Sequence, residues 1–308
     1  MKFLYILESI RFPAMDECML LITRLGEETA FLVAALIVFW CMDKKKGYYL
    51  MSVGFIGTIM NQFFKLLFAL PRPWVLDPDF TIVEAAREAA TGYSFPSGHA
   101  TFSVGTFGCL AMMTERRWLR YIWIAIAVLV PFSRMYLGVH TPEDVITGAA
   151  LALLFVFALK RMAWVDKEQG MKDIIGMMLV MAVCLLLYVE FWPHPADMDA
   201  VNLQSGLKNA CTMLGCLAGL AVVYEGEKRF VNFETKAVWW AQILKCSLGF
   251  AVVLLIKGGL RSPLEMILPV YPARTVRYFL VVVAAGLLWP MTFRYFAKLG
   301  VKNELRNH

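Results

Sequence analysis

The chain has 308 residues, of which 59% are hydrophobic, and its mean hydropathy is +0.61. These values exclude an ordinary soluble domain and favour a membrane protein with several spans, because each spanning helix needs ~20 mostly apolar residues. The net charge of +6 does not predict nucleic-acid binding, because the basic residues lie in short loops between apolar segments. The seven cysteines lie almost all within apolar segments and show neither zinc-site spacing nor a disulfide framework.

Residues 1–24 are predicted to form an amphipathic segment at the membrane surface. Charged residues interrupt this segment, including Glu8, Arg11 and Asp16, so it lacks the continuous apolar region of a cleavable signal peptide. An interfacial helix that precedes the first span fits this pattern better.

Nine membrane spans are predicted from the apolar runs that follow, and the fold class is therefore an all-α polytopic helical bundle. The predicted spans are 29–42, 47–69, 99–114, 118–135, 144–159, 173–189, 206–224, 238–256 and 276–293. More than half of the 30 lysine and arginine residues fall in the alternate loops on one side. This bias assigns that side to the cytoplasm and places the loops 71–95 and 136–143 on the outer face. Within the first loop, residues 82–90 are interpreted either as a short amphipathic helix or as a solvated loop.

Polar residues stand at the outer ends of successive spans. The sequence Pro96-Ser97-Gly98-His99 leads into an apolar run and is typical of a helix start. A helix N-terminus directs unpaired N–H groups outward and forms an anion site, with His99 beside it. On its own, the same pattern more often marks a simple helix start than a functional site.

Three cations lie at the ends of neighbouring spans. Lys65 and Arg72 close the second span, and Arg134 closes the fourth. They fit two roles, either as membrane anchors whose charged groups reach the interface or as a cradle for phosphate oxygens. Asn61, one turn before Lys65, is predicted to orient that lysine.

His140 and Asp144 are separated by the helix-start sequence Thr141-Pro142-Glu143. Asp144 is compatible with two roles at once. It can complete a capping box with Thr141, and it can accept the Nδ1 proton of His140 and leave Nε2 free to attack.

These clusters together resemble the signature of the PAP2 (type 2 phosphatidic acid phosphatase) superfamily. The family pattern K-x6-RP, PSGH and SR-x5-H-x3-D is similar to Lys65…Arg72-Pro73, Pro96-Ser97-Gly98-His99 and Ser133-Arg134…His140…Asp144, in family order. The resemblance covers about residues 25–161. It implies that residues 25–161 form the catalytic membrane core. Residues 1–24 are the predicted interfacial segment, and residues 162–308 are a predicted accessory region of four spans, which compact bacterial members of the family lack. The nine-span layout is similar to the glucose-6-phosphatase branch.

The resemblance also implies a role for each matched residue. His140 is implied to be the nucleophile that forms a phosphohistidine, Asp144 its partner, and His99 the acid and base. The residues implied to bind phosphate are Lys65, Arg72, Ser97, Gly98 and Arg134. No metal or other cofactor is implied, because fixed cations and a helix N-terminus stabilise the transferring phosphoryl group.

The expected function is therefore that of an integral membrane phosphatase at the outer face, most simply of a bacterial plasma membrane. Its expected partners are the bilayer and a lipid phosphate or diphosphate, such as undecaprenyl diphosphate, phosphatidylglycerol phosphate or phosphatidic acid. Alternatives with the same chemistry are a phosphatase of a soluble sugar phosphate and a lipid-linked phosphotransferase. A transporter or an inactive relative is a further alternative, although no signature residue is missing.

Overall fold

A computed structural model describes residues 1–165, 169–195 and 198–299. All regular secondary structure in these ranges is helical. The α-helices are α1 (Lys2–Ser9), α2 (Pro13–Arg24), α3 (Glu28–Ile37), α4 (Lys44–Phe68), α5 (Pro73–Leu76), α6 (Gly98–Met113), α7 (Arg117–Tyr136), α8 (Pro142–Val165), α9 (Gln169–Phe191), α10 (Ala200–Gly226), α11 (Trp239–Gly259), α12 (Arg261–Ile267), α13 (Val270–Val283) and α14 (Phe293–Lys298). Turns of π-helix (Val38–Met42, Glu227–Val231 and Ala284–Leu288) and of 3₁₀-helix (Glu84–Ala86 and Pro290–Thr292) complete the set.

The protein is an integral membrane protein. Seven helical segments of the described residues are long and apolar enough to cross a bilayer, or eight if the bent pair Pro13–Arg24 and Glu28–Met42 forms one span. The helix α6, with 16 residues, is shorter than the ~20 residues of a typical span. The count is roughly consistent with the nine predicted spans, and each predicted span overlaps a helix of the structure.

The described residues form two compact units. The first comprises residues 1–35, 49–165, 193–195 and 198–206, and it contains every predicted site residue. The second comprises residues 36–48, 169–192 and 207–299. The three-part functional division of the chain at residues 24 and 161 stays a prediction.

In the first unit, α6 is the central helix and packs against both α7 and α8. Buried residues occur on all its faces, including Ala100, Val104, Phe107 and Cys109. A helix surrounded in this way has no strong amphipathic pattern, which explains why its sequence is a continuous apolar run.

The helices α6 and α8 begin where the sequence predicts. Ser97 is the N-cap of α6, and its Oγ accepts a hydrogen bond from the Ala100 N–H at 3.4 Å. At α8, Thr141 Oγ1 accepts from the Asp144 N–H at 3.3 Å, and Asp144 Oδ2 accepts from the Thr141 N–H at 2.9 Å. This reciprocal pair is the predicted capping box, with Pro142 in the first helical position.

The N-terminal segment forms two helices that pack onto the end of α7 and the loop 77–90. Within that loop, residues 82–90 contain a single 3₁₀ turn (Glu84–Ala86) in place of a longer amphipathic helix. The buried members of the resulting hydrophobic cluster are Leu4, Met19, Phe80, Ile82, Ala86, Ala90, Tyr136, Leu137 and Val139. The loop is therefore a packed layer beside the turn that carries His140.

Candidate active site

The predicted site residues lie on helix ends that meet at one end of the first unit. Lys65 is in the last turn of α4, His99 in the first turn of α6, Arg134 in the last turn of α7 and Asp144 in the first turn of α8. Antiparallel packing of consecutive helices brings these four ends together. The Ser97 N–H donates to the Asp144 carbonyl at 2.9 Å, so the starts of α6 and α8 are directly joined.

A glycine permits this close contact between α6 and α8. A Cβ atom at Gly148 would lie 2.6 Å from the Ser97 carbonyl oxygen and 3.0 Å from Thr101 Oγ1. Any larger residue at position 148 would push the two helix starts apart. Gly148 therefore contributes to the placement of His99 relative to His140.

His140 lies between an arginine and a carboxylate. Its Nε2 is 3.0 Å from Arg72 Nη1, and its Nδ1 is 3.3 Å from Asp144 Oδ2. A guanidinium group only donates hydrogen bonds, so this network assigns the lone pair to Nε2 and the proton to Nδ1. This tautomer is the one expected from the sequence, and it leaves the lone pair on Nε2.

The environment of His140 opposes protonation of the ring. His140 lies in the turn between α7 and α8 and is 2% exposed. Burial lowers the pKa of His140 well below its usual range, and the positive charges of Arg72, Arg134 and Lys65 lower it further. The imidazole is consequently neutral at pH 7.

Asp144 accepts three hydrogen bonds at one carboxylate oxygen. The donors to Oδ2 are His140 Nδ1, the Thr141 N–H and Ser94 Oγ, the last at 2.5 Å. Ser94 is buried, and sequence reasoning gave it no role. A serine in a loop has no distinctive spacing, and only its position three residues before Ser97 hinted at the site.

Arg72 donates to four acceptors. They are the Thr91 carbonyl at 2.7 Å, the Gly92 and Val139 carbonyls at 3.0 Å each, and His140 Nε2. Since a guanidinium group has five N–H donors, one remains for a ligand in this arrangement. Arg72 thus joins the loop that precedes α6 to the turn that carries His140.

Arg134 and His99 carry polar atoms that lack partners among the described residues. Arg134 is fully buried and donates from Nη1 to Thr23 Oγ1 at 3.0 Å, whereas its Nε and Nη2 have no acceptor. His99 Nε2 is also buried without a partner. The His99 ring is close enough to Arg134, His140, Lys65 and Arg72 to interact electrostatically with all four. An unsatisfied buried donor costs about 1–3 kcal/mol, so an oxyanion at this position would stabilise these groups.

The remaining predicted residues are placed as follows. Gly98 is the first residue of α6, where N–H groups lack intrahelical acceptors. Lys65 interacts electrostatically with Arg72, Arg134 and Asp144. Asn61 was predicted to orient Lys65, but its Nδ2 instead donates to the Pro96 carbonyl at 3.2 Å.

The described residues contain no group of three His, Cys, Asp or Glu side chains that could hold a metal ion.

Arg11 is a second residue that sequence reasoning missed. Its Nε donates to the Tyr136 carbonyl at 2.8 Å, and its Nη1 donates to the Thr81 carbonyl at 2.7 Å. A Cβ at Gly138, whose φ of +80° favours glycine, would lie 2.8 Å from Arg11 Nη2. Arg11 thus connects the N-terminal segment to the turn just before His140.

We expect Arg11→Gln to lower kcat by about tenfold and to leave KM within about twofold, because a shift of ~1 Å at a reacting group costs up to ~10²-fold. A glutamine can bond to only one of the two carbonyls. The measurement is steady-state phosphate release, with Arg24→Gln as the control because Arg24 is exposed at the end of α2. An equal loss in both variants, or a change confined to KM, would contradict this positioning role.

Comparison with known proteins gives two family matches. Residues 45–168 match the PAP2 superfamily, and residues 211–302 match the transmembrane extension of PAP2 superfamily phosphatases. The first match contains every predicted site residue. The second begins beyond them, in the region for which sequence reasoning found no motif.

Three relatives show what proteins the chain is similar to. An undecaprenyl-diphosphatase of Sulfolobus acidocaldarius is 33% identical over 140 residues, covering 45% of this chain and 66% of the relative. Undecaprenyl-diphosphatase BcrC of Bacillus subtilis is 29% identical, covering 48% of this chain and 74% of the relative. Phosphatidylglycerophosphatase B of Bacillus subtilis is 31% identical, covering 49% of this chain and 76% of the relative. No solved structure matched the chain.

Proposed function

This chain belongs to the PAP2 superfamily, and we propose that it hydrolyses a lipid phosphate or diphosphate at the extracytoplasmic face of the membrane through a phosphohistidine on His140, without a metal ion. The observation that carries the proposal is the hydrogen-bonded series Arg72–His140–Asp144. It presents a neutral imidazole with Nε2 on the side of the cations. The names of the three relatives above describe enzymes that act on lipid phosphates or diphosphates, and this similarity supports a lipid substrate.

In the first half of the reaction, His140 Nε2 attacks phosphorus. The N–P bond forms as the bond from phosphorus to the leaving oxygen breaks, and His99 donates a proton to that oxygen. Arg72 Nη1 now bonds to Nε2, so it must transfer its hydrogen bond to a phosphoryl oxygen as the lone pair is used. Asp144 holds the Nδ1 proton and stabilises the positive charge on the ring.

In the second half, water cleaves the N–P bond. His99 accepts a proton from the water, which attacks phosphorus and releases inorganic phosphate together with neutral His140. The unpartnered Nε and Nη2 atoms of Arg134, with Lys65, Ser97 and the Gly98 N–H, bind the phosphoryl oxygens in both halves. These donors supply the electrostatic stabilisation that a metal ion provides in other phosphoryl-transfer enzymes.

The decisive experiment is phosphate release by the purified protein in detergent with a chelator present. The substrates are undecaprenyl diphosphate, phosphatidylglycerol phosphate, phosphatidic acid and glucose 6-phosphate. We expect hydrolysis of at least one lipid substrate at more than 100 times the rate for glucose 6-phosphate. Preference for glucose 6-phosphate would overturn the lipid assignment, and loss of all activity in chelator would overturn the metal-free mechanism.

Membrane topology gives an independent expectation. The variant Asp79→Cys carries a new thiol in the loop 77–90. We expect it to react in intact cells with a membrane-impermeant maleimide, because the charge bias predicts that this loop lies outside. The background is a variant in which the exposed Cys18 and Cys184 and the partly exposed Cys41 and Cys246 are replaced by serine. Lys45→Cys, in the predicted cytoplasmic loop, is the control and should react only after permeabilisation. The opposite pattern would place the site in the cytoplasm.

The low pKa of His140 predicts how activity depends on pH. The neutral ring is the nucleophile, so activity is present above the folded-state pKa and is lost as pH falls through it. Because that pKa is well below 6.5, we expect the decrease in kcat/KM that protonation of His140 causes to occur below pH 6.5. The measurement is a kcat/KM profile corrected for ionisation of the substrate. An acid limb of the corrected profile at or above pH 6.5 would contradict the assigned environment.

A further inference from the structure

Two cysteines that are far apart in sequence meet in the second unit. Cys41 lies in the π-helical turn Val38–Met42, Cys246 lies in α11, and their Sγ atoms are 3.2 Å apart. Neither residue takes part in the proposed phosphoryl transfer. Both side chains have intermediate exposure, so the surrounding protein does not fully enclose them.

Contacts made by the neighbours of both cysteines hold the two sulfur atoms close to each other. Lys245, next to Cys246, donates from Nζ to the carbonyl of Trp40, next to Cys41, at 2.9 Å. One turn further along α11, a Cβ at Gly249 would lie 2.8 Å from the Trp40 ring. The absence of a side chain at Gly249 therefore lets the indole pack directly against the helix backbone. The sulfur atoms are held together by the surrounding packing.

A positive charge accompanies the two thiols. Lys245 is buried, also bonds to the Thr235 carbonyl at 3.1 Å, and lies over the Phe293 ring at 4.5 Å. Its ammonium group interacts electrostatically with both Cys41 and Cys246. A nearby cation favours the thiolate, the form of cysteine that reacts with disulfides.

We propose that Cys41 and Cys246 are a redox modification site, which forms a reversible intramolecular disulfide by exchange with a small-molecule disulfide. The sulfur atoms need to approach by about 1.1 Å to reach the usual S–S bond length of ~2.05 Å. The predicted topology places Cys41 near the cytoplasmic end of the span 29–42, and Cys246 lies in the half of the span 238–256 that begins on the same side. Disulfides on that side of a membrane are typically transient and redox-sensing.

The reaction balances in two exchange steps. Cys246 thiolate attacks one sulfur of the oxidant, which forms a mixed disulfide and expels one thiolate. Cys41 thiolate then attacks the Cys246 sulfur and expels the second thiolate. Overall, two S–H bonds are replaced by one S–S bond, the two protein sulfurs lose two electrons, and the oxidant leaves as two thiols that carry the two protons.

The test treats the purified full-length protein with glutathione disulfide and then alkylates the remaining thiols under denaturing conditions. We expect the number of free thiols to fall from seven to five and mass spectrometry to find a peptide that links Cys41 to Cys246. Dithiothreitol should restore both thiols. After oxidation, the labelling of Cys41 by a maleimide should fall at least tenfold. These readouts do not depend on phosphatase activity, so they test this proposal separately from the proposed function.

Single substitutions provide the controls. Cys41→Ser and Cys246→Ser should each abolish the linked peptide, whereas Cys184→Ser, which removes an exposed thiol of α9, should leave it unchanged. The wild-type measurement decides the question even if a serine variant fails to fold. The proposal is overturned if wild-type protein keeps seven free thiols, if it forms only mixed disulfides with glutathione, or if the linked peptide joins other cysteines.

Discussion

His140→Gln is expected to lower kcat for phosphate release by at least ~10⁴-fold, the scale seen when a nucleophile is removed from a covalent mechanism. Glutamine is similar in length to histidine and retains polar atoms for Arg72 and Asp144, so much of the hydrogen-bond network has replacement partners. It lacks, however, a nitrogen lone pair that can form a bond to phosphorus. We therefore expect the variant to bind substrate without forming a phosphoenzyme.

The measurement combines steady-state turnover with trapping of the radiolabelled enzyme in alkali, in which phosphohistidine is stable. Wild-type protein should retain label and His140→Gln should retain none. His194→Gln is the matched control, because His194 belongs to none of the three signature clusters. Turnover by His140→Gln at more than a hundredth of the wild-type rate, in protein with a normal melting temperature, would remove His140 as the nucleophile.

The variant His99→Gln distinguishes the role of His99, as acid and base, from that of His140, as nucleophile. An aryl phosphate has a leaving group that needs no protonation, so this variant should still form the phosphoenzyme from p-nitrophenyl phosphate. Hydrolysis of that intermediate should be slow, because no base activates the water. Label should therefore accumulate in His99→Gln above the wild-type level, whereas it should be absent from His140→Gln.

Sequence reasoning located the helices and the residues at their ends because both depend on local information. Apolar runs mark the spans, and the residues that cap α6 and α8 are adjacent in the chain to the helices that they start. The tautomer of His140 could be predicted for the same reason, since Asp144 is only one helical turn away. These features needed no knowledge of how distant segments pack.

The contacts that depend on distant segments could not be predicted. Arg11 bonds to the carbonyl of Tyr136, 125 residues later, and nothing in the sequence of residues 1–24 points to this partner. Arg72 was interpreted only as a membrane anchor or a phosphate ligand, but most of its donors bond to backbone carbonyls brought near by the loop 91–92 and the His140 turn. Asn61 was assigned to Lys65 because the two are one turn apart, and the start of α6 provides it with a different acceptor.

The carboxylate of Asp144 has both a structural and an electrostatic role, and the two are expected to respond differently to one substitution. Asp144→Asn is expected to lower kcat by about 10³–10⁴-fold, in line with neutralising the carboxylate that orients a catalytic histidine. Asparagine is also a good residue at the start of a helix, so its amide oxygen can still accept from the Thr141 N–H and Ser94 Oγ. The loss of charge at the helix N-terminus is worth only about 0.3–1 kcal/mol.

What the amide cannot do is stabilise the positive charge that develops on His140 when Nε2 bonds to phosphorus. Oδ2 of Asp144 accepts from three donors, and its negative charge is the feature that the substitution removes. If the amide nitrogen faces His140 instead, the proton moves to Nε2 and blocks attack. Either orientation therefore slows the chemical step, but only the one with the amide oxygen in the place of Oδ2 keeps an acceptor for the Thr141 N–H and leaves the helix cap nearly intact.

Glu143→Gln is the matched control, because Glu143 lies in the same first turn of α8, is exposed, and carries the same charge. The two variants change the net charge and the helix-dipole interaction by the same amount, so they should have similar melting temperatures. Only Asp144→Asn should lose phosphoenzyme formation in a rapid-quench measurement. If Asp144→Asn instead loses melting temperature in proportion to activity, Asp144 acts through the fold of the His140 turn and has no electrostatic role in phosphoryl transfer.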